Sequence, residues 1–222
     1  MRNRRLTRRP LSRLIVSRPI ATSVMASVAA VTLATPAFAH HPFGGEAPKS
    51  IVEGVLSGIG HPVVGLDHLA FVVAVGLLAA VVRRGASVPA AFVLATVAGT
   101  VVHLAGVDLP AAELVISASV VIFGALAVMR DRLNPIVVVL LSAIAGIFHG
   151  YAYGEAVVGA EVTPLLAYLI GFAGVQCAIA YGAYLLSQQA LNKNQTSGLI
   201  SVRHAGFMVL GAGAAFLGGL LV

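Results

Sequence analysis

Imidazole and carboxylate side chains are concentrated in two short segments of a largely apolar chain of 222 residues. The first segment, H-P-V-V-G-L-D-H, contains His61, Asp67 and His68, and the second, F-H-G-Y-A-Y-G-E, contains His149 and Glu155. If the first segment is helical, the spacing of His61 and His68 puts the two imidazoles on one face, to within roughly 20°. Ionisable groups at membrane depth are costly, so they normally mark a binding site or a pathway. These residues therefore indicate a polar site inside an apolar bundle.

The residue types favour a particular group of cations. Imidazole and carboxylate ligands without thiolate suit Ni²⁺, Co²⁺, Zn²⁺ or Cu²⁺ and do not suit Cu⁺. His103, near the end of another apolar segment, is a further candidate ligand, whereas the single cysteine, Cys177, excludes a multi-cysteine metal site. The same side chains would also serve as structural hydrogen bonds between helices, or as a proton relay without a metal.

The composition places the chain in a lipid bilayer. Hydrophobic residues make up 59% of it and charged residues 10%, which is incompatible with a soluble globular domain and with disorder. Half of the 14 Lys and Arg residues lie between Arg2 and Arg18, and the rest of the chain is slightly acidic. The formal net charge of +6 therefore belongs to the N-terminus and does not indicate a nucleic-acid partner.

The N-terminus is typical of a secretory signal peptide over residues 1–39. An Arg-rich region is followed by an apolar stretch, Ile20 to Ala34, and by the small-residue cleavage pattern Ala37-Phe38-Ala39. An uncleaved signal anchor is the alternative. Cleavage after Ala39 would leave a free amine at His40, which together with the amide and ring nitrogens of His41 forms a planar chelate suited to Ni²⁺ or Cu²⁺.

The remaining residues, 40–222, form one predicted domain of six transmembrane helices. The short segment between Glu46 and Gly60 precedes them as a predicted amphipathic or re-entrant element. The fold class is therefore an all-α, polytopic membrane protein behind a cleavable signal peptide. The predicted spans are Val63–Val82, Val88–Ala105, Ala111–Met129, Pro135–Tyr153, Pro164–Leu186 and Leu199–Val222.

The charges between the spans predict an orientation. Alternate loops carry lysine or arginine, and the loops between them carry only acidic residues. By the positive-inside rule the basic loops are cytoplasmic, so both ends of the mature chain are expected on the outer, periplasmic side of the bacterial inner membrane. Most of the histidines then lie near the outer face.

The two polar segments together resemble the HupE/UreJ family of hydrogenase and urease accessory proteins, which are secondary nickel/cobalt permeases. The resemblance rests on the H-x5-D-H pattern from His61 to His68 and on Phe148-His149-Gly150 through Gly154-Glu155. It implies transport of nickel, or of cobalt, for metalloenzyme maturation. The ion is then a transported substrate and not a permanently bound cofactor. The transport residues that the resemblance implies are His61, Asp67, His68, His149 and Glu155.

Two other classes of function remain open. An intramembrane metal-dependent enzyme would use similar ligands, but the sequence contains no H-E-x-x-H motif. A serine–histidine pair made from Ser57 and His149 has no feature that fixes its geometry. A membrane accessory subunit that does not transport is the second alternative. The chain has no nucleotide-binding P-loop, so transport would draw on an ion gradient, the membrane potential or a partner. A homo-oligomer or an accessory partner is left open.

Overall fold

The computed structural model describes residues 46–82, 85–129 and 133–221, and within these ranges every regular element is helical. The all-α prediction is therefore confirmed for this part of the chain. The predicted signal peptide, His40 and His41 lie outside the described residues. The helices are α1 (Ile51–Val64), α2 (Leu66–Val81), α3 (Ser87–Leu104), α4 (Ala112–Met129), α5 (Pro135–Gly154), α6 (Val162–Lys193) and α7 (Gln195–Gly219), with a 3₁₀ turn at Glu155–Val157.

Five helices, α3 to α7, are long and apolar enough to cross a membrane. The pair α1 and α2 passes the same test only when taken together, and its two helices are bent by 80°. At 1.5 Å per residue they are about 21 and 24 Å long, so neither alone spans a hydrocarbon core of about 30 Å. The chain is a multi-pass membrane protein with five or six candidate spans.

The predicted first span, Val63 to Val82, is not one continuous helix, because the helix breaks at Gly65. This glycine has extended backbone angles (φ −69°, ψ 97°), and its N–H donates to the carbonyl of His61 at 3.1 Å. Its own carbonyl accepts from Leu69 N at 2.8 Å and thereby starts α2. A Cβ at Gly65 would lie 2.7 Å from His68 Cδ2, so any side chain at this position would displace the His68 ring. His61 and His68 therefore belong to different helices, and the helical-face argument for their proximity does not apply.

The predicted polar loop between the last two spans is also absent, because both helices extend into it. Only Asn194 separates α6 from α7. Gln188 Nε2 donates to the carbonyl of Ala80 at 3.0 Å, which holds the polar end of α6 against α2. Asn194 Oδ1 accepts from Ser197 N at 2.9 Å and so caps α7.

Helix α2 is the centre of the bundle and packs against α3, α4, α6 and α7. Phe71, Val72, Ala74 and Val75 on α2 are fully buried. Around it, three helix pairs make the closest contacts: α1 with α6, α3 with α5, and α4 with α7. Glycines allow each close approach of two helices. A Cβ added to these glycines would meet backbone of the partner helix at 2.6 Å (Gly171 on Val55 O), 2.7 Å (Gly146 on Phe92 O) and 2.6 Å (Gly213 on Val121 N).

Candidate cation site

A cavity of about 220 Å³ lies at one end of the bundle. Its walls come from the starts of α2 and α4, the ends of α5 and α7, and the last turn of α1. The break at Gly65 brings His61 to this wall, beside the first turn of α2. The lining residues are His61, Asp67, His68, Ala112, Glu113, Ile116, Ser117, Tyr151, Ala152, Glu155, Phe216 and Leu220.

Three carboxylates give the cavity its charge. Asp67, Glu113 and Glu155 line it, and the described lining includes no lysine or arginine. Asp67 Oδ1 accepts from His68 N at 2.8 Å in the first turn of α2, where the positive end of the helix dipole favours an anion. The cavity therefore attracts cations.

Three imidazoles from three helices meet at the base of this cavity. His61 and His68 have ring centroids 5.8 Å apart, and His68 Nδ1 lies 2.8 Å from His149 Nδ1. All three rings are at most 2% exposed. Tyr153 packs between them, with its ring 5.0 Å from His61 and 4.6 Å from His68. The site is thus a compact cluster whose outer members face the acidic cavity.

Hydroxyl groups hold two of the imidazoles. Tyr168 Oη lies 3.0 Å from His61 Nδ1 and donates to the carbonyl of Tyr153 at 2.8 Å. Ser119 Oγ lies 3.0 Å from His149 Nε2 and donates to the carbonyl of Ile116 at 2.6 Å. Both hydroxyl residues are buried. Each imidazole is therefore tied through a side chain to helix backbone, which limits its rotation.

Phenylalanine rings close the bundle directly beyond His149. Phe71 lies 4.4 Å from the His149 ring, and Phe92 and Phe123 lie 5.2 and 4.5 Å from Phe71. All three are at most 1% exposed. In this state of the protein the polar site ends at an apolar floor.

The predicted site residues divide into three groups. His61, Asp67, His68, His149 and Glu155 come together in the cluster or on the cavity wall. His103 instead packs its ring 4.5 Å from Tyr151 and against Gly154, behind the cavity wall. His40 and His41 lie outside the described residues. Within the described ranges, no group of three or more His, Cys, Asp or Glu side chains is arranged to hold a metal ion.

Three residues of the site were missed in the sequence: Glu113, Ser119 and Tyr168. Glu113 was assigned only to an acidic loop, although an acid in the first turn of a membrane helix is a signal that could have been used. Ser119 and Tyr168 sit in α4 and α6 without any motif around them. Only the packing of these helices against α2 and α1 identifies them. Tyr153 was detectable, because it follows His149 by one helical turn and shares its face.

Several membrane-length helices around a polar cavity define a polytopic helical membrane protein. A family model described as HupE / UreJ protein matches residues 28–216, so the chain belongs to the HupE/UreJ family, and the resemblance carried by its two polar segments is confirmed. The chain is 31% identical over 189 residues to Protein HupE of Rhizobium leguminosarum bv. viciae, an alignment that covers 84% of this chain and 94% of that relative. No solved structure matches it.

Proposed function

We propose that the chain transports divalent nickel, or cobalt, across the bacterial inner membrane for metalloenzyme maturation, and that the cation binds in the acidic cavity. The observation that carries the proposal is that Asp67, Glu113 and Glu155 line the same cavity as His61 and His68. Membership of the HupE/UreJ family supports an accessory or transport role.

The ligand chemistry supports a transported ion. Imidazole nitrogen and carboxylate oxygen suit nickel and cobalt, and the cavity lining includes no thiolate. A site without a complete set of protein ligands binds weakly enough to release its ion, which transport requires. A structural metal centre would instead be closed by its protein ligands.

The geometry argues against a catalytic serine–histidine pair. Ser119, and not Ser57, is the serine in contact with His149. Its hydroxyl proton is directed to the carbonyl of Ile116 and away from the imidazole. An activated serine nucleophile would donate that proton to the histidine. The pair is therefore arranged to orient the ring.

Uptake of labelled Ni²⁺ into cells expressing the chain tests the proposal. Asp67→Asn and His68→Gln are each expected to reduce uptake by about tenfold or more, since loss of one ligand or its orienting partner typically costs 10- to 100-fold in metal affinity. Membrane abundance should stay normal. Glu161→Gln and His204→Gln are the matched controls, because neither residue lines the cavity.

Wild-type uptake rates in both site variants would contradict the proposal. If the wild-type chain itself gave no uptake above cells lacking it, the non-transporting accessory role would be favoured. Purified protein in liposomes with an imposed potential then tests the driving force. A divalent cation gains about 4.6 kcal/mol per 100 mV when it moves to the negative side, so uptake should rise steeply with the potential.

A further inference from the structure

Two polar side chains beyond the imidazole cluster face each other in the interior of the bundle. Tyr153 on α5 and Gln176 on α6 are both fully buried, and the amide of Gln176 lies beside the hydroxyl of Tyr153. Neither Tyr153 Oη nor Gln176 Nε2 has a hydrogen-bond partner within the described part of the chain. A buried polar atom without a partner lowers the stability of the folded protein, so this pair needs an explanation other than stability.

The pair continues inward from the candidate cation site. The ring of Tyr153 lies 4.6 Å from the ring of His68 at the base of the cavity, while the hydroxyl of Tyr153 faces α6. Gln176 follows Phe172, whose ring packs 5.3 Å from Tyr153, by one helical turn. Along α6, Gln176 lies about 12 Å further from the cavity end than Tyr168, at 1.5 Å per residue. The described lining of the acidic cavity includes neither Tyr153 nor Gln176, so the pair is separate from the outer site.

Thr96 on α3 adds a third oxygen to the pair. Its Oγ1 lies 3.0 Å from Gln176 Oε1 and 2.7 Å from the carbonyl oxygen of Val93. Phe92, one ring of the apolar floor, precedes Thr96 by one turn of the same helix. Tyr153, Gln176 and Thr96, which we call the inner polar site, therefore lie beside the floor and bring α3, α5 and α6 together.

The inner polar site offers neutral oxygen atoms. Hydroxyl and amide oxygens bind divalent ions, or accept hydrogen bonds from the water ligands of such ions. The last torsion of a glutamine side chain is broad and roughly two-fold, so the amide of Gln176 can turn its oxygen from Thr96 towards Tyr153. Neutral oxygens hold nickel or cobalt less tightly than imidazole and carboxylate do. Weak binding at more than one site suits an ion that must move on.

We propose that Tyr153, Gln176 and Thr96 form a second, transient binding site for the divalent cation, which the ion occupies after it leaves the acidic cavity and when the phenylalanine rings move. The inner site rests on the proposed function and extends the pathway into the bundle. It accounts for two unpaired polar atoms at membrane depth, because polar groups in the interior of a membrane bundle normally mark a pathway.

Two single substitutions test the inner site. Tyr153→Phe deletes only the hydroxyl and keeps the ring between His61 and His68, and Gln176→Leu replaces the amide by an apolar side chain of similar size. Each is expected to lower the maximal rate of labelled Ni²⁺ uptake about tenfold at normal membrane abundance, because each removes a hydrogen bond to the passing charge. Equilibrium binding of Ni²⁺ to the purified protein, which reports on the acidic cavity, should be unchanged.

The thermal unfolding midpoint separates a blocked pathway from a damaged fold. Both variants remove an unpaired polar atom, so neither midpoint should fall. Reduced uptake by a variant that is at least as stable as the wild type then cannot result from misfolding. Tyr181→Phe is the matched control, because it deletes an exposed hydroxyl on α6. It should change neither uptake, nor Ni²⁺ binding, nor the midpoint.

The possible failures have different signatures. Wild-type maximal uptake in both variants would overturn the inner site and leave the proposed function intact. A parallel loss of Ni²⁺ binding would also overturn it, because the effect would then lie at the acidic cavity. Reduced uptake with a matching fall in the midpoint would assign the two residues a structural role instead. No Ni²⁺ uptake by the wild-type chain would reject the proposed function, and the inner site with it.

Discussion

The segment from His61 to Val75 has two adjacent parts whose side chains differ sharply in polarity. The first part combines two imidazoles and a carboxylate beside an acidic cavity. One turn further along α2, Phe71 begins a stretch that is fully buried among apolar side chains. A segment that was apolar throughout would exclude a cation, and one that was polar throughout would offer the cation no barrier.

In the proposed transport, this difference would let the protein bind a cation without leaking it. The polar end can exchange ions with the cavity, while the phenylalanine floor separates the site from the rest of the bundle. A transporter needs both, because alternating access requires that one side be closed while the other is open. We therefore expect release to require movement of the rings below His149.

Removal of the floor should have the largest effect. Phe71→Ala deletes a fully buried ring in contact with His149, Phe92 and Phe123. The loss is expected to cost about 3 kcal/mol and to lower the thermal unfolding midpoint in detergent by roughly 6–12 °C. Phe207→Ala, at a half-buried ring on α7, should cost much less. Equal shifts in both variants would contradict the role of the floor.

Separation of α1 from α6 should break the polar end. Gly58 lies on α1, one turn before His61. A Cβ at Gly58 would collide with the backbone carbonyl of Tyr168 on α6. Gly58→Val should therefore pull His61 away from Tyr168 and reduce Ni²⁺ uptake about tenfold. Gly174→Val is the matched control on α6, because nothing lies within 4 Å of a Cβ there. If both variants transport equally, the contact between α1 and α6 does not position the site.

The carboxylate missed in the sequence should have a moderate effect. Glu113→Gln removes one of the charges that attract the cation without removing an imidazole. The half-saturating Ni²⁺ concentration is expected to rise roughly threefold to fivefold, and the increase should shrink at high ionic strength. Glu161→Gln should change neither quantity. An effect of Glu113→Gln that is independent of salt would point to direct coordination.

The smallest effect on stability is expected at Gln176, on the border between the two regions. Its side chain is fully buried beside Thr96, and its Nε2 has no hydrogen-bond partner among the described residues. Gln176→Leu removes an unsatisfied donor and also deletes the bond from Thr96 to Oε1, but the Thr96 hydroxyl keeps the carbonyl of Val93 as its acceptor. The variant should therefore raise the free energy of unfolding by about 1 kcal/mol. Gln188→Leu, which deletes a bond to Ala80, should lower it. A lower unfolding midpoint for Gln176→Leu would mean that the bond from Thr96, or a water bound to the amide nitrogen, stabilises the folded protein.

Hydropathy predicted most of the fold because each helix from α3 to α7 carries its own apolar length. It failed where structure depends on one residue. The break at Gly65 lies inside a run that is apolar throughout, and a window of about 20 residues averages over it. The polar end of α6 was predicted to be a loop because its residues are polar. In the structure it is helical, and Gln188 in this segment donates a hydrogen bond to Ala80 on α2, which is distant in sequence.

The site shows the same limit. Its motif residues were found because they are ionisable groups in an apolar setting, a property visible at each position. Ser119 and Tyr168 are ordinary residues of membrane helices, and only their contacts with His149 and His61 give them a role. His103 shows the opposite case, since its type and depth matched the site but its helix places it behind Tyr151. The orientation and the signal peptide remain predictions.

The long sequence separations within the site have a consequence for biogenesis. His68 meets His149 across 81 residues, and His61 meets Tyr168 across 107 residues. At a synthesis rate of roughly 5–20 residues per second, Tyr168 emerges about 5–20 s after His61. During that interval the nascent chain carries imidazoles but no assembled pocket. The cluster of His61, His68 and His149 can therefore form only after α5 has been made, and the contact of His61 with Tyr168 only after α6 has begun.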